Sequence, residues 1–270
     1  MDEFMTSADV ARLLGVGPTS VKRWADSGLL PCLRTPGRHR RFVRTEVERF
    51  RVRQHEVHAP DPAQIEAWIR LIESECGPYE VHSALLFDRS RLGAWWRVAE
   101  QVGSVLVELG RRWERGQISV LQEHLASERL ARGLARCTES IAVASSGPRA
   151  LLAGAEGDEH TLGLQLAELV FRERGWSVLW GGRSVPTAEV RKRVEHGDCD
   201  LVALSAAASF SDEARLREQV RAIGSACAER EVELVLGGGG AWPDASAELP
   251  RFHRVRSFQE LHELLGILGR

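Results

Sequence analysis

The spacing of apolar residues changes twice along this chain. In residues 1 to about 55 the pattern is helical in short runs. Val10, Leu13 and Leu14 share one face of a helix that Thr6 or Ser7 caps and Gly15 ends. After the turn Gly15-Val16-Gly17, a second helix from about Pro18 to Ser27 turns Val21 and Trp24 inward and Thr19, Ser20, Lys22 and Arg23 outward. Val43 to Arg53 reads as a closing helix. From Gln64 to about residue 140 the helical period holds over longer stretches. Ile65, Trp68, Ile69 and Ile72 mark one helix, Val81, Leu85 and Leu86 a second, Trp95, Val98, Val102, Val105, Leu106 and Leu109 a third, and Ile118 to Cys137 a fourth. Four helices with short connections predict a bundle. Beyond residue 147 the period shortens. Runs at Ala150–Ala153, Val178–Trp180, Leu201–Leu204 and Val232–Leu236 alternate with helical patterns at Leu162–Arg174, Thr187–His196, Ser211–Glu229 and Phe258–Leu268. Such alternation predicts a doubly wound parallel sheet with right-handed crossovers.

The expected architecture is therefore multidomain. It has an all-α winged helix-turn-helix at 1–55, a linker at 56–63 containing Pro60 and Pro62, a four-helix bundle at 64–140, and an α/β doubly wound domain at 147–270. At 270 residues and 43% hydrophobic content the chain is long enough for several cores.

Charge adds an asymmetry. The chain carries a net charge of −2, yet residues 1–55 hold 11 Lys and Arg against 6 Asp and Glu, leaving 25 against 32 for the remainder. A basic module on an acidic body predicts that the amino-terminal end meets double-stranded DNA. The densest cationic stretch is Arg34-Thr35-Pro36-Gly37-Arg38-His39-Arg40-Arg41-Phe42, a glycine-centred hairpin whose mutually repelling side chains suit a phosphate backbone. Arg34, Arg38, His39, Arg40 and Arg41 join Thr19, Ser20, Lys22 and Arg23 as the expected DNA contacts, with Trp24 in the core. The five cysteines, Cys32, Cys76, Cys137, Cys199 and Cys227, are odd in number and show no C-x-x-C spacing, which predicts free thiols in a reducing compartment. No apolar run approaches a membrane span and the start is not a signal peptide, so a cytoplasmic protein without a membrane partner is expected.

Candidate chemistry concentrates in Asp158-Glu159-His160-Thr161-Leu162-Gly163, the loop leaving the first strand of the sheet domain. That is where such a sheet keeps its ligands. An imidazole there can ligate a metal while Asp158 holds its other N–H, and Gly163 lets a bulky group approach the backbone. Taken alone, D-x-H reads more readily as a loop histidine bonded to the neighbouring acid. No G-x-G-x-x-G follows the first strand and no G-x-x-x-x-G-K-[ST] occurs, which sets aside nicotinamide and triphosphate binding. No nucleophile and base are paired, so the protein is read as a non-enzyme. His196, His253 and His262 are read as scattered surface residues.

D-x-H-x-x-G after the first strand, Ser205-Ala206-Ala207 after the third and Gly237-Gly238 after the fourth together resemble the cobalamin-binding domain of methionine synthase and its relatives. The resemblance implies that His160 is the lower axial ligand of cobalt. It also implies that Ser205, Gly237 and Gly238 line the slot for the displaced nucleotide tail, and that Asp158 and Ser211 form a relay behind the histidine. The amino-terminal segment resembles the MerR winged helix-turn-helix through Val10-Ala11-Arg12-Leu13-Leu14-Gly15-Val16, Arg23-Trp24, Gly28-Leu29-Leu30 and the arginine-rich wing.

In the bundle, Trp113 ends the third helix and is followed after nine residues by Glu123-His124, a pair that returns to the same bundle end. As plain structure these are a bundle cap and a solvated face. The W-x9-E-H spacing is similar to the helical cap of CarH-type photoreceptors, the cobalamin-dependent MerR-like repressors. That resemblance implies that Trp113 and Val120 shelter the upper axial adenosyl group and that Glu123 binds its ribose. Where those proteins carry a histidine after the tryptophan, this chain has Glu114. The implied whole is a transcriptional repressor in which adenosylcobalamin, methylcobalamin or another cobalamin form, and in the first case light, controls assembly of a homo-oligomer, dimer or tetramer, on a DNA operator. The alternatives are a light-independent cobalamin or partner sensor and a corrinoid methyl carrier for a methyltransferase.

Overall fold

The computed structural model describes residues 4–14, 18–26, 28, 30–35, 37, 39–50, 61–143, 147–243 and 251–269. The turn at Gly15–Gly17, most of the linker, Arg38, and the side chains of Thr19, Ser20 and Arg23 lie outside the described residues. The chain divides into two compact units, Met1–Ala59 and Pro60–Arg270.

In the first unit, helices α1 (Ser7–Leu14) and α2 (Pro18–Asp26) and helical residues 44–50 (α3) pack around Val10, Ala11, Val21, Leu30, Phe42, Val47 and Phe50. Thr6 is the cap. Its Oγ1 accepts the Asp9 N–H at 3.2 Å, and the Asp9 carboxylate accepts the Thr6 N–H at 3.0 Å, the reciprocal arrangement of a capping box. Trp24 rests partly buried on this core, its ring 5.1 Å from that of Phe50. The wing is more than the expected hairpin. Strands β2 (Leu33–Arg34) and β3 (Arg40–Val43) are joined by β1 (Phe4–Met5), which pairs antiparallel with β3, so the helical module carries a small three-stranded sheet.

In the second unit, α4 (Pro62–Glu73), α5 (Pro78–Leu92), α6 (Trp95–Glu114) and α7 (Val120–Ser140) form the bundle. Helix α4 begins inside the expected linker, because Pro62 suits a first helical position and Asp61 Oδ1 accepts the Ala63 N–H at 2.9 Å. A polar network ties three helices. Buried Asp88 on α5 accepts from the Trp68 indole at 2.8 Å, from Arg91, and from Gln101 on α6.

The sheet has the order β5-β4-β6-β7-β8 and is parallel throughout, with β4 (Arg149–Gly154), β5 (Ser177–Gly182), β6 (Leu201–Ser205), β7 (Glu233–Gly237) and β8 (Phe252–Arg254). Alternate residues face opposite layers. Ala150, Leu152, Leu201, Ala203 and Val235 face α8 (Leu162–Glu173) and α11 (Phe258–Leu268). Leu151, Ala153, Val202, Leu204, Leu234 and Leu236 face α9 (Thr187–His196) and α10 (Glu213–Glu229). The bundle shares the first of these cores, so α6 and α7 lie on α8.

The direction of α6 matters for the site. Its first residue, Trp95, donates its N–H to both Glu173 oxygens at 3.0 and 3.1 Å, at the last turn of α8. Arg89 pairs with the same carboxylate at 2.8 Å. Farther along α6, Gly103 meets Phe258 at the start of α11. Helix α6 therefore runs antiparallel to α8 and α11. Its far end, with Trp113, points toward the carboxyl ends of the strands.

Two histidines read as surface residues are structural. His253 bonds Glu233 at 2.7 Å across the β7–β8 edge, and half-buried His262 packs its ring 6.0 Å from Trp96 at the bundle junction. His196 is exposed. At the same junction, burial pushes the Glu260 carboxyl up from 4.5 to about 7. The folded chain thus retains a proton that the unfolded chain releases near pH 4.5. This contribution is full at acid pH and is lost as pH rises through about 7. It amounts to at most about 3 kcal/mol, less whatever solvent screening removes. Urea midpoints measured across this range are expected to fall with pH, and Glu260→Gln is expected to flatten the fall.

Candidate cofactor site and nucleic-acid interface

The order of the sheet reverses between β4 and β6, and the crevice at such a reversal is where open α/β sheets bind ligands. Two loops meet there. One carries Asp158 and His160, and the other begins at Ser205. Asp158 is 1% exposed and joins them: Oδ1 accepts His160 Nδ1–H at 2.7 Å and the His160 N–H at 3.0 Å, and Oδ2 accepts the Ala207 N–H at 2.6 Å. A carboxylate only accepts, so Nδ1 carries the proton and Nε2 presents its lone pair. The imidazole is 67% exposed and stands beyond the sheet. Ser211 does not take the relay place expected for it. It is exposed, and a backbone amide bonds the second Asp158 oxygen instead.

The loop is braced from behind. Gln219, 2% exposed on the apolar face of α10, accepts from the Glu156 N–H and donates to its carbonyl, both at 3.3 Å. The Glu156 carboxylate in turn accepts from the Thr187 N–H and hydroxyl at 2.8 Å. These bonds hold the Glu156 carboxyl below the usual carboxylate range. Sequence reasoning missed this brace. The available signal was a glutamine among Leu216, Val220 and Ile223.

Gly163 has open space where a Cβ would stand. The run Gly237–Gly240 differs in that it packs on Ala206 and Ala208. A Cβ at Gly238 would lie 2.2 Å from the Ala206 carbonyl oxygen and 3.1 Å from Ser205 Oγ, whereas Gly237 has ordinary room. Neighbouring backbone accounts for the glycine at 238. At the facing bundle end Trp113 is 49% exposed and Val120 56% exposed, a large apolar surface left uncovered. Glu123 bonds His124 Nδ1 at 3.0 Å and Ser127 Oγ at 2.6 Å, and Glu114 is exposed.

These residues fit a cobalt corrinoid. The set comprises a free imidazole nitrogen, an open glycine beside it, loops of small residues at 205–208 and 237–240, and an apolar surface at the same end. Gln165 Oε1, in the first turn of α8, is also buried without a partner.

In the first unit, Lys22 and His39 are exposed, and Arg41 Nη1 donates to the Arg40 carbonyl. Arg34 and Arg40 do not project freely. Both bond Asp26 on α2, at 3.0 Å and at 2.6 and 2.8 Å. The expectation of a wing of repelling cations omitted this counter-charge. No described helix is long and apolar enough to cross a membrane.

Comparison with known proteins matches residues 4–55 to a helix-turn-helix domain, and residues 98–138 and 148–255 to two B12 binding domains. The chain is 29% identical over 166 residues to the HTH-type transcriptional repressor CarA of Myxococcus xanthus, covering 57% of this chain and 56% of that one. It is 34% identical over 116 residues to the HTH-type transcriptional repressor CarH of the same organism, covering 42% and 38%. It thus spans little more than half the length of these relatives at most. The fold is similar to that of a monomethylamine corrinoid protein of Methanosarcina barkeri, with a TM-score of 0.52 at 14% identity over 70% of this chain and 96% of that one. The chain thus joins a helix-turn-helix match to two B12-binding matches, one helical and one α/β, and is similar over part of its length to the CarA and CarH repressors.

Proposed function

We propose that this protein is a DNA-binding transcriptional repressor, without catalytic activity of its own, whose hold on an operator is set by bound adenosylcobalamin. The observation that carries the reading is the Asp158-bound His160, its Nε2 free at the sheet's switch point, on the end toward which α6 directs Trp113. In this reading His160 would hold the cobalt through Nε2. Gly163, Ser205, Gly237 and Gly238 would leave room for the cofactor's nucleotide, and Trp113, Val120, Glu123 and His124 would hold its adenosyl group. Bound adenosylcobalamin supplies a light-sensitive cobalt–carbon bond. Thr19, Ser20, Lys22, Arg23, Arg38, His39 and Arg41 meet phosphates and base edges. Homo-oligomer assembly, as dimer or tetramer, converts weak single-module binding into operator affinity, and the cofactor acts by favouring one assembly over another.

Glu114 supports a second reading. A carboxylate is a poorer partner for cobalt(III) than imidazole, so a cofactor-level sensor that ignores light fits this position. The test is the absorption spectrum of protein loaded with adenosylcobalamin in the dark, washed, and recorded before and after green light. A histidine-ligated spectrum that His160→Ala abolishes is expected. A light-induced change selects the photoreceptor and an unchanged spectrum selects the level sensor. If no cobalamin is retained, the cobalamin reading is wrong.

A further inference from the structure

We propose that Asp26 positions the wing against α2 and keeps Arg34 and Arg40 from contributing to phosphate binding, so that DNA affinity draws on the remaining cations of the module. The inference rests on the DNA-binding reading above and refines it. Arg34 Nη2 lies 3.0 Å from Asp26 Oδ1, and Arg40 Nη2 reaches both carboxylate oxygens, at 2.6 and 2.8 Å. These two arginines open β2's end of the hairpin and β3, opposite each other in register, so a single carboxylate on α2 grips both strands at once. Arg40 is not built as an outstretched hand. Its side chain is 19% exposed and its Nε is buried without a partner. Hydrogen bonding from Arg40 also holds the Asp26 carboxyl below the usual carboxylate range. The carboxylate occupies the place that a phosphate would otherwise take on these guanidinium groups, which accept carboxylate and phosphate by the same geometry. The bridge persists on DNA, because guanidinium groups that left it for a phosphate would leave the Asp26 carboxylate unpaired beside that phosphate, like charge against like charge.

Salt dependence of binding counts the cations that neutralise phosphates, about 0.9 per contact in the slope of log affinity against log salt. The probe is a mixed-sequence DNA duplex spanning several helical turns, titrated with the full-length protein between about 50 and 200 mM salt. Asp26→Asn is expected to bind more tightly at low salt and to steepen the slope by about 1.8, so that it loses roughly tenfold more affinity than the parent across that range. Arg34→Ala leaves Asp26 bonded to Arg40 and is expected to keep the parental slope. An unchanged slope in Asp26→Asn, or a slope shallower by about 0.9 in Arg34→Ala, overturns the proposal. If the parent itself binds no duplex at any salt, it is the DNA-binding reading that fails.

Discussion

Gly238→Ala is expected to destabilise the Pro60–Arg270 unit by about 3 kcal/mol, seen as a melting temperature lower by roughly 6–12 °C. Gly238 has φ +79°, a conformation that costs any other L-residue about 1 kcal/mol or more. The new methyl would also stand 2.2 Å from the Ala206 carbonyl oxygen. That oxygen cannot retreat cheaply, because it accepts the Gly240 N–H at 2.9 Å and so ties the glycine run to the loop after β6. Gly163→Ala is the control. Open space surrounds that position in the first turn of α8, where alanine is the better helix former, so folding is expected to be unchanged or stabilised by up to about 1 kcal/mol, and any loss of cobalamin would come from the ligand side. Thermal melts of both apo variants separate a glycine the fold needs from one it does not.

Asp158→Ala is expected to have two effects at once. It strips the Ala207 N–H and the His160 N–H and Nδ1–H of their acceptor in a place only 1% exposed, at a cost of about 2–4 kcal/mol. It also frees the imidazole to rotate and to change tautomer, and loss of such an orienting acid typically weakens a ligand site 10- to 100-fold. Equilibrium dialysis with adenosylcobalamin reads the second effect and urea denaturation of the apo protein reads the first. Asp158→Asn keeps the volume but donates from one side, and is expected to fall between the two. A parental affinity in Asp158→Ala would remove the carboxylate from the ligand-positioning role.

The local signals behind the fold were strong. Alternation of short Val- and Leu-rich runs with helical periods identified the parallel sheet, and the spacing of Trp95, Val98, Val102, Val105 and Leu109 fixed the buried stripe of α6. What stayed hidden depends on residues distant in sequence. Strand β8 is three residues long and pairs only at the sheet edge, so Phe252–Arg254 has no periodicity to display. His253 and His262 looked like scattered surface residues because their partners, Glu233 and Trp96, are 20 and 166 positions away. The site divides the same way. The D-x-H spacing placed the carboxylate beside the imidazole, since two residues suffice for that contact. The acceptor role of Asp158 toward Ala207 spans 49 residues, and the resemblance to cobalamin-binding domains assigned that place to Ser211. In the wing, counting arginines gave the charge of the strand pair and omitted Asp26 on another element.

The grip of Glu173 on the first residue of α6 makes that helix a lever. Trp113 lies 18 residues from Trp95, about 27 Å along the axis. A tilt of about 10° at the Glu173 end would sweep the indole by roughly 5 Å, more than the thickness of an aromatic ring. The arm multiplies small angular errors at its fulcrum into displacements comparable with a ligand's own dimensions. Loosening the Glu173 contact should therefore be felt first at the opposite tip of the helix, far from where the change was made.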